Sequence, residues 1–226
     1  MPKAKTSIPA KATELAGAPH RRAFLFGAVS VSAAVMLGAD NARAQATPAQ
    51  LIAAMREGGK VIFLRHSTTV QEQIDTGRLG DRGGQRNLSP EGIEQARALG
   101  RAFRVLNISF GRILASPVFR ARDTAELAFG AGAFTESMEV VADDYAGGRV
   151  DFMVESTGRL LRTPPPSGAN LLLVGHRTPL EMVTRRRFPD TILPEGAMAV
   201  FAPMVSEARL LGTLSAESLI AAAATR

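Results

Sequence analysis

Cysteine and tryptophan are absent from this 226-residue chain, tyrosine occurs once and histidine three times. Without cysteine there is no disulfide framework, thiolate nucleophile, zinc–thiolate site or iron–sulfur cluster. With aromatic residues at 5%, the stacking platforms that hold single-stranded nucleic acid are missing too. No lysine or arginine cluster is longer than Arg185-Arg186-Arg187, so the basic stripe of a nucleic-acid binder is also lacking. Imidazole chemistry in the body of the chain has only His66 and His176 to work with, since His20 falls in an N-terminal leader. What is present is a globular composition, 46% hydrophobic and 21% charged, enough for one domain with a sizeable core.

The formal net charge of +6 is concentrated at one end. Residues 1–44 hold six basic side chains against Glu14 and Asp40, while the remaining 182 residues hold 21 basic against 19 acidic. The surplus belongs mostly to the leader and not to a binding surface. That leader has the three parts of an export signal. A basic stretch ends in His20-Arg21-Arg22, an apolar run extends from Ala23 to Gly38, and Ala42-Arg43-Ala44 offers the small residues a signal peptidase reads. At 16 residues the run is shorter than the roughly 20 a membrane-spanning helix needs. The Arg21-Arg22 pair directly before it resembles a twin-arginine signal, a route for proteins that are already folded. The expectation is a cleaved signal over 1–44, transient contact with export machinery, and a single domain over 45–226 that is periplasmic or secreted, with no stable membrane association. An uncleaved anchor is the alternative.

The body reads as alternating helices and strands. Thr47 to Glu57 has helical character and ends at Gly58-Gly59, where glycine suits a left-handed terminus. Lys60-Val61-Ile62-Phe63-Leu64 is an unbroken apolar run, the mark of a strand covered on both faces. After a polar loop from Ser67 to Leu88, Ser89 and Pro90 open a helix whose stripe is Ile93, Ala96, Leu99, Gly100 and Phe103. Arg112 to Ala115 is a short strand, Pro117 to Phe129 a helix, Glu139 to Ala142 another short strand, and Phe152 to Arg162 a helix stopped by three prolines. Asn170 to Val174 is a second buried strand, after which Thr178 and Glu181 have the spacing of a capping box. Ala197 to Ala202 and Arg209 to Thr213 are late strands, the second followed by a terminal helix. This order predicts an α/β fold, a three-layer α/β/α sandwich around a mostly parallel central sheet.

In such sheets ligands bind beyond the carboxyl ends of the strands. The two most apolar strands end in Arg65-His66 and Gly175-His176, and a third ends in Ser116-Pro117-Val118-Phe119-Arg120. If these strands are parallel neighbours, two imidazoles and two guanidiniums share one rim. Arginine stays charged and grips phosphate oxygens in a bidentate fork. A neutral imidazole is a nucleophile toward phosphorus, forming a phosphoramidate that water hydrolyses. A second imidazole can donate to the equatorial oxygens as charge spreads over them in transit. The arrangement calls for no metal and no cofactor.

Four segments, Leu64-Arg65-His66, Asn87-Leu88-Ser89-Pro90-Glu91-Gly92, Ser116 through Ala125, and Val174-Gly175-His176, resemble in sequence and order the histidine phosphatase superfamily, also called phosphoglycerate-mutase-like. The resemblance implies that family's fold, a phosphatase acting on phosphate monoesters or phosphoramidates, and a small phosphorylated substrate. It makes His66 the phosphorylated nucleophile, with Arg65, Arg120 and His176 completing the phosphate pocket. The stretch Gln85-Arg86-Asn87-Leu88-Ser89 is similar to a branch of small bacterial members, in which Arg86 helps hold the substrate. Many members carry glycine and then Glu-Thr after the nucleophile. Here Ser67-Thr68-Thr69 stands instead, which argues against sugar-phosphate mutase activity.

The general acid for the leaving oxygen is open at this level. In mutase-like members it is a glutamate after the third motif, a region that here supplies Glu136, Glu139, Asp143 and Asp144. Asp144, past the expected strand and before Gly147-Gly148, is the first choice; Asp143, Glu195 or no acid at all are the alternatives. Two further functions stay open, a mutase-type phosphotransferase and a phosphate-binding regulatory module without turnover. Export argues against the first, whose usual primer is cytoplasmic. Arg78, Arg82, Arg185, Arg186 and Arg187 read as surface or salt-bridge residues, and Arg122 and Asp123 as solvent-facing positions on a helix.

Overall fold

The computed structural model describes residues 45–166 and 168–226, so the expected export signal and its twin arginines lie outside the described residues. Helix α1 (Pro48–Glu57) begins with a capping box, the Thr47 hydroxyl accepting from the Gln50 N–H and the Gln50 side chain from the Thr47 N–H. It stops at Gly58, where φ is 81° and a Cβ would stand 2.7 Å from the Gly168 carbonyl carbon, so both the backbone and the space require glycine. Strand β1 (Val61–Arg65) is buried along its whole length. Successive side chains point to opposite faces, Ile62 and Leu64 into one core and Val61 and Phe63 into another. Helix α2 (Pro90–Val105) starts where the Ser89 hydroxyl accepts from the Gly92 N–H. Then come β2 (Phe110–Ala115), α3 (Phe119–Phe129), β3 (Thr135–Glu136), α4 (Val150–Arg162), β4 (Asn170–Gly175) and α5 (Arg177–Thr184). The chain closes with β5 (Met198–Pro203), β6 (Ala208–Leu214) and α6 (Ala216–Ala224).

The six strands form one sheet in the order β3-β2-β4-β1-β5-β6. Strands β3, β2, β4 and β1 pair in parallel, and β5 runs antiparallel to both β1 and β6. The sheet is thus mostly parallel with one reversed strand, which lets β5 and β6 join through a short connection instead of a crossover helix. Residues of α1, α2, α3 and α6 (Leu51, Leu99, Ala121 and Leu219 among them) cover one face, over Ile62, Leu64, Leu172 and Val174. Leu160 and Leu161 of α4 and Leu180 of α5 cover the other, over Phe63, Leu114, Leu171 and Leu173. The expected three-layer sandwich is the observed one. Among the described residues no helix is long and apolar enough to cross a membrane.

Two local expectations fail. Glu139 to Ala142 is not a strand: Met138–Val140 is a 3-10 turn, and the strand in this region is the two-residue β3 beside β2. Val140, Val141 and Ala142 are apolar because they are buried against α4 and Tyr145, and the Glu139 carbonyl accepts from the Thr157 hydroxyl instead of from a neighbouring strand. Thr178 and Glu181 do not form a capping box. Helix α5 starts directly after β4, with His176 at its cap position and no side-chain cap bond, and Glu181 accepts from the N–H of Phe188, four residues past the end of the helix.

Candidate active site

In the parallel pairing of β1 and β4, Arg65 stands opposite Gly175. The next residues, His66 and His176, therefore emerge side by side at the carboxyl rim, and the His66 N–H donates to the Gly175 carbonyl at 3.0 Å. Their ring centroids are 5.4 Å apart, the planes tilted by 52°, and both residues are buried. Ser116, just beyond β2, donates its backbone N–H to the Val174 carbonyl, and its hydroxyl oxygen lies 2.8 Å from Nε2 of His176. Two residues into α3, Arg120 is brought to the same rim and is 5% exposed. Thr124, one turn on, donates its hydroxyl to the Arg120 carbonyl and accepts the Ser67 N–H, tying the helix to the residue after His66. Gly92 serves the same junction. A Cβ there would stand 1.9 Å from the Thr68 carbonyl oxygen, so only glycine lets the first turn of α2 seat on the chain leaving His66.

Nδ1 of His66 lies 2.9 Å from the Ser67 carbonyl oxygen. A carbonyl only accepts, so Nδ1 carries the proton and Nε2 keeps its lone pair when the ring is neutral. Burial, and then the charges of Arg120, Arg65 and Arg86, hold the His66 pKa well below 6.5 despite the Ser67 carbonyl. His176 is held well below 6.5 by burial and then by Arg120, His66, Arg65 and Arg86. Three guanidiniums thus act on both rings, and both rings are neutral at ordinary pH.

Each guanidinium holds a carboxylate. Arg65 donates from Nη1 to Asp190 and to the Leu193 carbonyl (2.8 Å), with Nη2 3.5 Å from Glu195. Arg86 reaches Glu195 at 3.4 Å, and Arg120 donates from Nη1 to both oxygens of Asp75 at 2.9 and 3.0 Å. The Nε–H groups of Arg65, Arg86 and Arg120 and Nδ1 of His176 are buried and have no hydrogen-bond partner among the described residues. A buried donor left unpaired costs about 1–3 kcal/mol, so this many together suit an acceptor-rich anion such as phosphate.

All six residues expected from the sequence, Arg65, His66, Arg86, Arg120, Asp144 and His176, fall in or beside this cluster. Asp144 sits in a 3-10 turn, Asp143–Tyr145, and not after a strand. Withdrawal of its carboxyl from water raises its pKa above the ordinary aspartate value, Arg120 opposing and Asp143 and Asp75 adding to the rise. Glu195 is instead a tether. It accepts from the Thr69 N–H (2.9 Å), the Thr69 hydroxyl (2.8 Å) and Arg86. Glu139 pairs with Arg159, and Glu136 lies 3.9 Å from Arg122, both outside the cluster. Arg122 and Asp123 are not simply solvent-facing: Arg82 donates to both oxygens of Asp123, and Arg82 and Arg122 stack on the Phe119 ring.

Sequence reasoning missed Asp75, Asp190, Tyr145 and Ser116. Asp75 accepts from Arg120, the Tyr145 hydroxyl and the Arg86 N–H, which together hold its carboxyl below the ordinary value although burial works the other way. Nothing in the irregular segment around Asp75 sets it apart from its other polar residues. Ser116 stood inside a recognised motif, so its position was readable although its bond to His176 was not.

Neutral imidazoles among guanidiniums, at the carboxyl rim of an α/β sandwich, define a phosphoryl-transfer class of protein. Residues 61–144 match the model of the histidine phosphatase superfamily (branch 1), a span that takes in His66, Arg86 and Arg120 and stops short of His176. Over that span the chain is similar to that superfamily, which supports a phosphatase-type hydrolase acting on a small phosphorylated substrate. Among solved structures, the product of open reading frame Rv3214 from Mycobacterium tuberculosis is similar in fold, at TM-score 0.50 and 16% identity over 70% of this chain and 98% of that one. The protein histidine phosphatase SixA complexed with tungstate matches at 0.49 and 16% over 71% and 99%. A phosphoserine phosphatase variant from Entamoeba histolytica in complex with phosphoserine matches at 0.49 and 14% over 71% and 98%. No curated protein matches the chain in sequence.

Proposed function

We propose that this chain is an exported, metal-independent phosphatase that hydrolyses phosphate monoesters or phosphoramidates through a phosphohistidine on His66. The observation that carries the reading is the His66 ring itself, neutral by burial and fixed by the Ser67 carbonyl so that Nε2 bears the lone pair. In the first step Nε2 attacks phosphorus, the bond from phosphorus to the leaving oxygen breaks, and that oxygen takes the proton of Asp144. Arg65, Arg86, Arg120 and His176 hold the charge of the transferring group. In the second step water attacks the phosphohistidine and gives a proton to the Asp144 carboxylate. The P–N bond breaks, inorganic phosphate leaves, and His66 and Asp144 return to their starting forms.

Incubating the full chain with p-nitrophenyl phosphate and denaturing it in alkali, where phosphohistidine survives, tests this by peptide mass. A phosphoryl group on His66, absent from His66→Ala, is the expected result. Full turnover by His66→Ala refutes the mechanism, and strong inhibition by a chelator refutes its metal independence. Transfer to a second metabolite in place of release to water would indicate a mutase. The export part rests on residues 1–44 alone. It predicts a mature protein beginning at about residue 45 outside the cytoplasm, and an N-terminus upstream of Ala42 on secreted protein refutes the cleavage.

A further inference from the structure

Asp75 lies in the irregular segment between His66 and α2, yet three parts of the chain converge on its carboxylate. Arg120, from α3, donates from Nη1 to both oxygens at 2.9 and 3.0 Å. Tyr145, from the 3-10 turn that carries Asp144, donates its hydroxyl to Oδ1 at 2.6 Å. Arg86, where the segment returns toward α2, donates its backbone N–H to Oδ1 at 3.0 Å. The Arg120 guanidinium is rigid and planar, so anchoring Nη1 decides where Nη2 and the unpartnered Nε–H point. The same anion fixes the backbone of Arg86, so two of the three guanidiniums around the imidazoles share one anchor.

We infer that Asp75 is a positioning residue of the phosphate pocket: its carboxylate orients Arg120 and seats Arg86, and Tyr145 braces the carboxylate. This rests on the phosphatase reading of the same site. It also competes with a simpler account. A negative charge beside a dianion site repels the dianion, so charge alone makes Asp75 a hindrance whose removal tightens anion binding. Orientation predicts the reverse. Asparagine keeps the shape of aspartate but not its charge: a neutral oxygen in place of Oδ1 accepts more weakly from the three donors that meet there, and an NH2 replaces the Oδ2 that accepts from Arg120. The sign of the change in affinity therefore separates the two accounts.

The test measures tungstate binding by calorimetry and p-nitrophenyl phosphate turnover against pH, with the full chain and Asp75→Asn, folding being checked by circular dichroism. The variant should bind tungstate about tenfold more weakly, with KM raised and kcat lowered together. The alkaline limb of kcat/KM should move to lower pH, because Asp144, faced by Arg120, Asp143 and Asp75, loses a negative neighbour. Asp75→Glu, which keeps the charge, should restore part of the affinity. Equal or tighter tungstate binding by folded Asp75→Asn overturns the inference and leaves the phosphatase reading standing. A parent that neither binds tungstate nor turns over overturns both. If Asp75→Asn does not fold, Tyr145→Phe removes one brace without changing charge and should weaken tungstate binding by about threefold; an unchanged affinity overturns the inference.

Discussion

His66 and His176 face one another across a 5.4 Å gap because Arg65 and Gly175, the residues before them, are register partners in the parallel pair β1 and β4. Two histidines 110 positions apart become neighbours through one backbone pairing, and the charged groups of the site are arranged around that pair. A slip of one residue in this register would turn His176 away from the rim, since strand side chains alternate between faces.

Burying both rings in neutral form links stability to pH. The unfolded chain takes up protons at its imidazoles near 6.5, the folded chain only well below that value. Above about pH 6.5 the rings make no difference, and as pH falls below it the unfolded state is favoured, until the folded rings also protonate. The urea midpoint should be lower at about pH 5.5 than at about pH 7.5. Inorganic phosphate, binding only the folded site, should offset part of the loss. A midpoint that holds or rises on acidification would contradict the buried neutral pair.

Asp144→Asn should separate substrates by leaving group. With an alkyl phosphate the leaving oxygen needs a proton, and kcat should fall by about 10²–10³. With p-nitrophenyl phosphate, whose phenolate leaves unaided, the loss should be several-fold at most. The acid must be protonated to act, so activity in the parent declines as pH rises through the raised Asp144 pKa, and this limb should vanish in the variant. Equal activity of parent and variant on the alkyl ester removes Asp144 from the mechanism.

Glu195 joins Thr69 to Arg65 and Arg86, with its side chain 11% exposed. Glu195→Gln keeps an acceptor for the Thr69 donors but takes the charge from both guanidiniums. The expected result is a KM several-fold higher for p-nitrophenyl phosphate, with the shape of the pH profile retained. Loss of the alkaline limb in this variant would mean that Glu195, not Asp144, supplies the proton.

Gly92→Ala places a methyl group where the Thr68 carbonyl oxygen already is. The first turn of α2 must then lift from the segment that follows His66, at about 1–3 kcal/mol of stability. Thermal unfolding should show the loss, and kcat should fall with it because Ser67 and Thr68 set the path of the chain beside the nucleophile. A variant with parent-like melting and turnover would show that this close approach is dispensable.

Strands β1 and β4 were legible as strands because each is an unbroken apolar run, which a two-sided parallel strand requires. The Glu139–Ala142 segment misled for a related reason: burial, not pairing, makes Val140, Val141 and Ala142 apolar, and a short run does not distinguish the two. Thr178 and Glu181 matched a capping pattern, but α5 follows β4 without an intervening turn, which puts His176 where a capping residue would stand. Arg65, His66, Arg120 and His176 were readable because each sits at a strand end or helix start, where local pattern and rim position coincide.

Linear order alone determined the layered architecture and which basic and imidazole side chains stand at strand ends and helix starts, because periodicity and chain punctuation are local properties. Tertiary structure alone decided which carboxylate each guanidinium holds. Asp75, Asp190 and Glu195 lie 45, 125 and 109 positions from Arg120, Arg65 and Arg86. Their partners follow from how irregular segments fold over the sheet, and the strength of a charge pair depends on distance in space, which spacing along the chain does not encode.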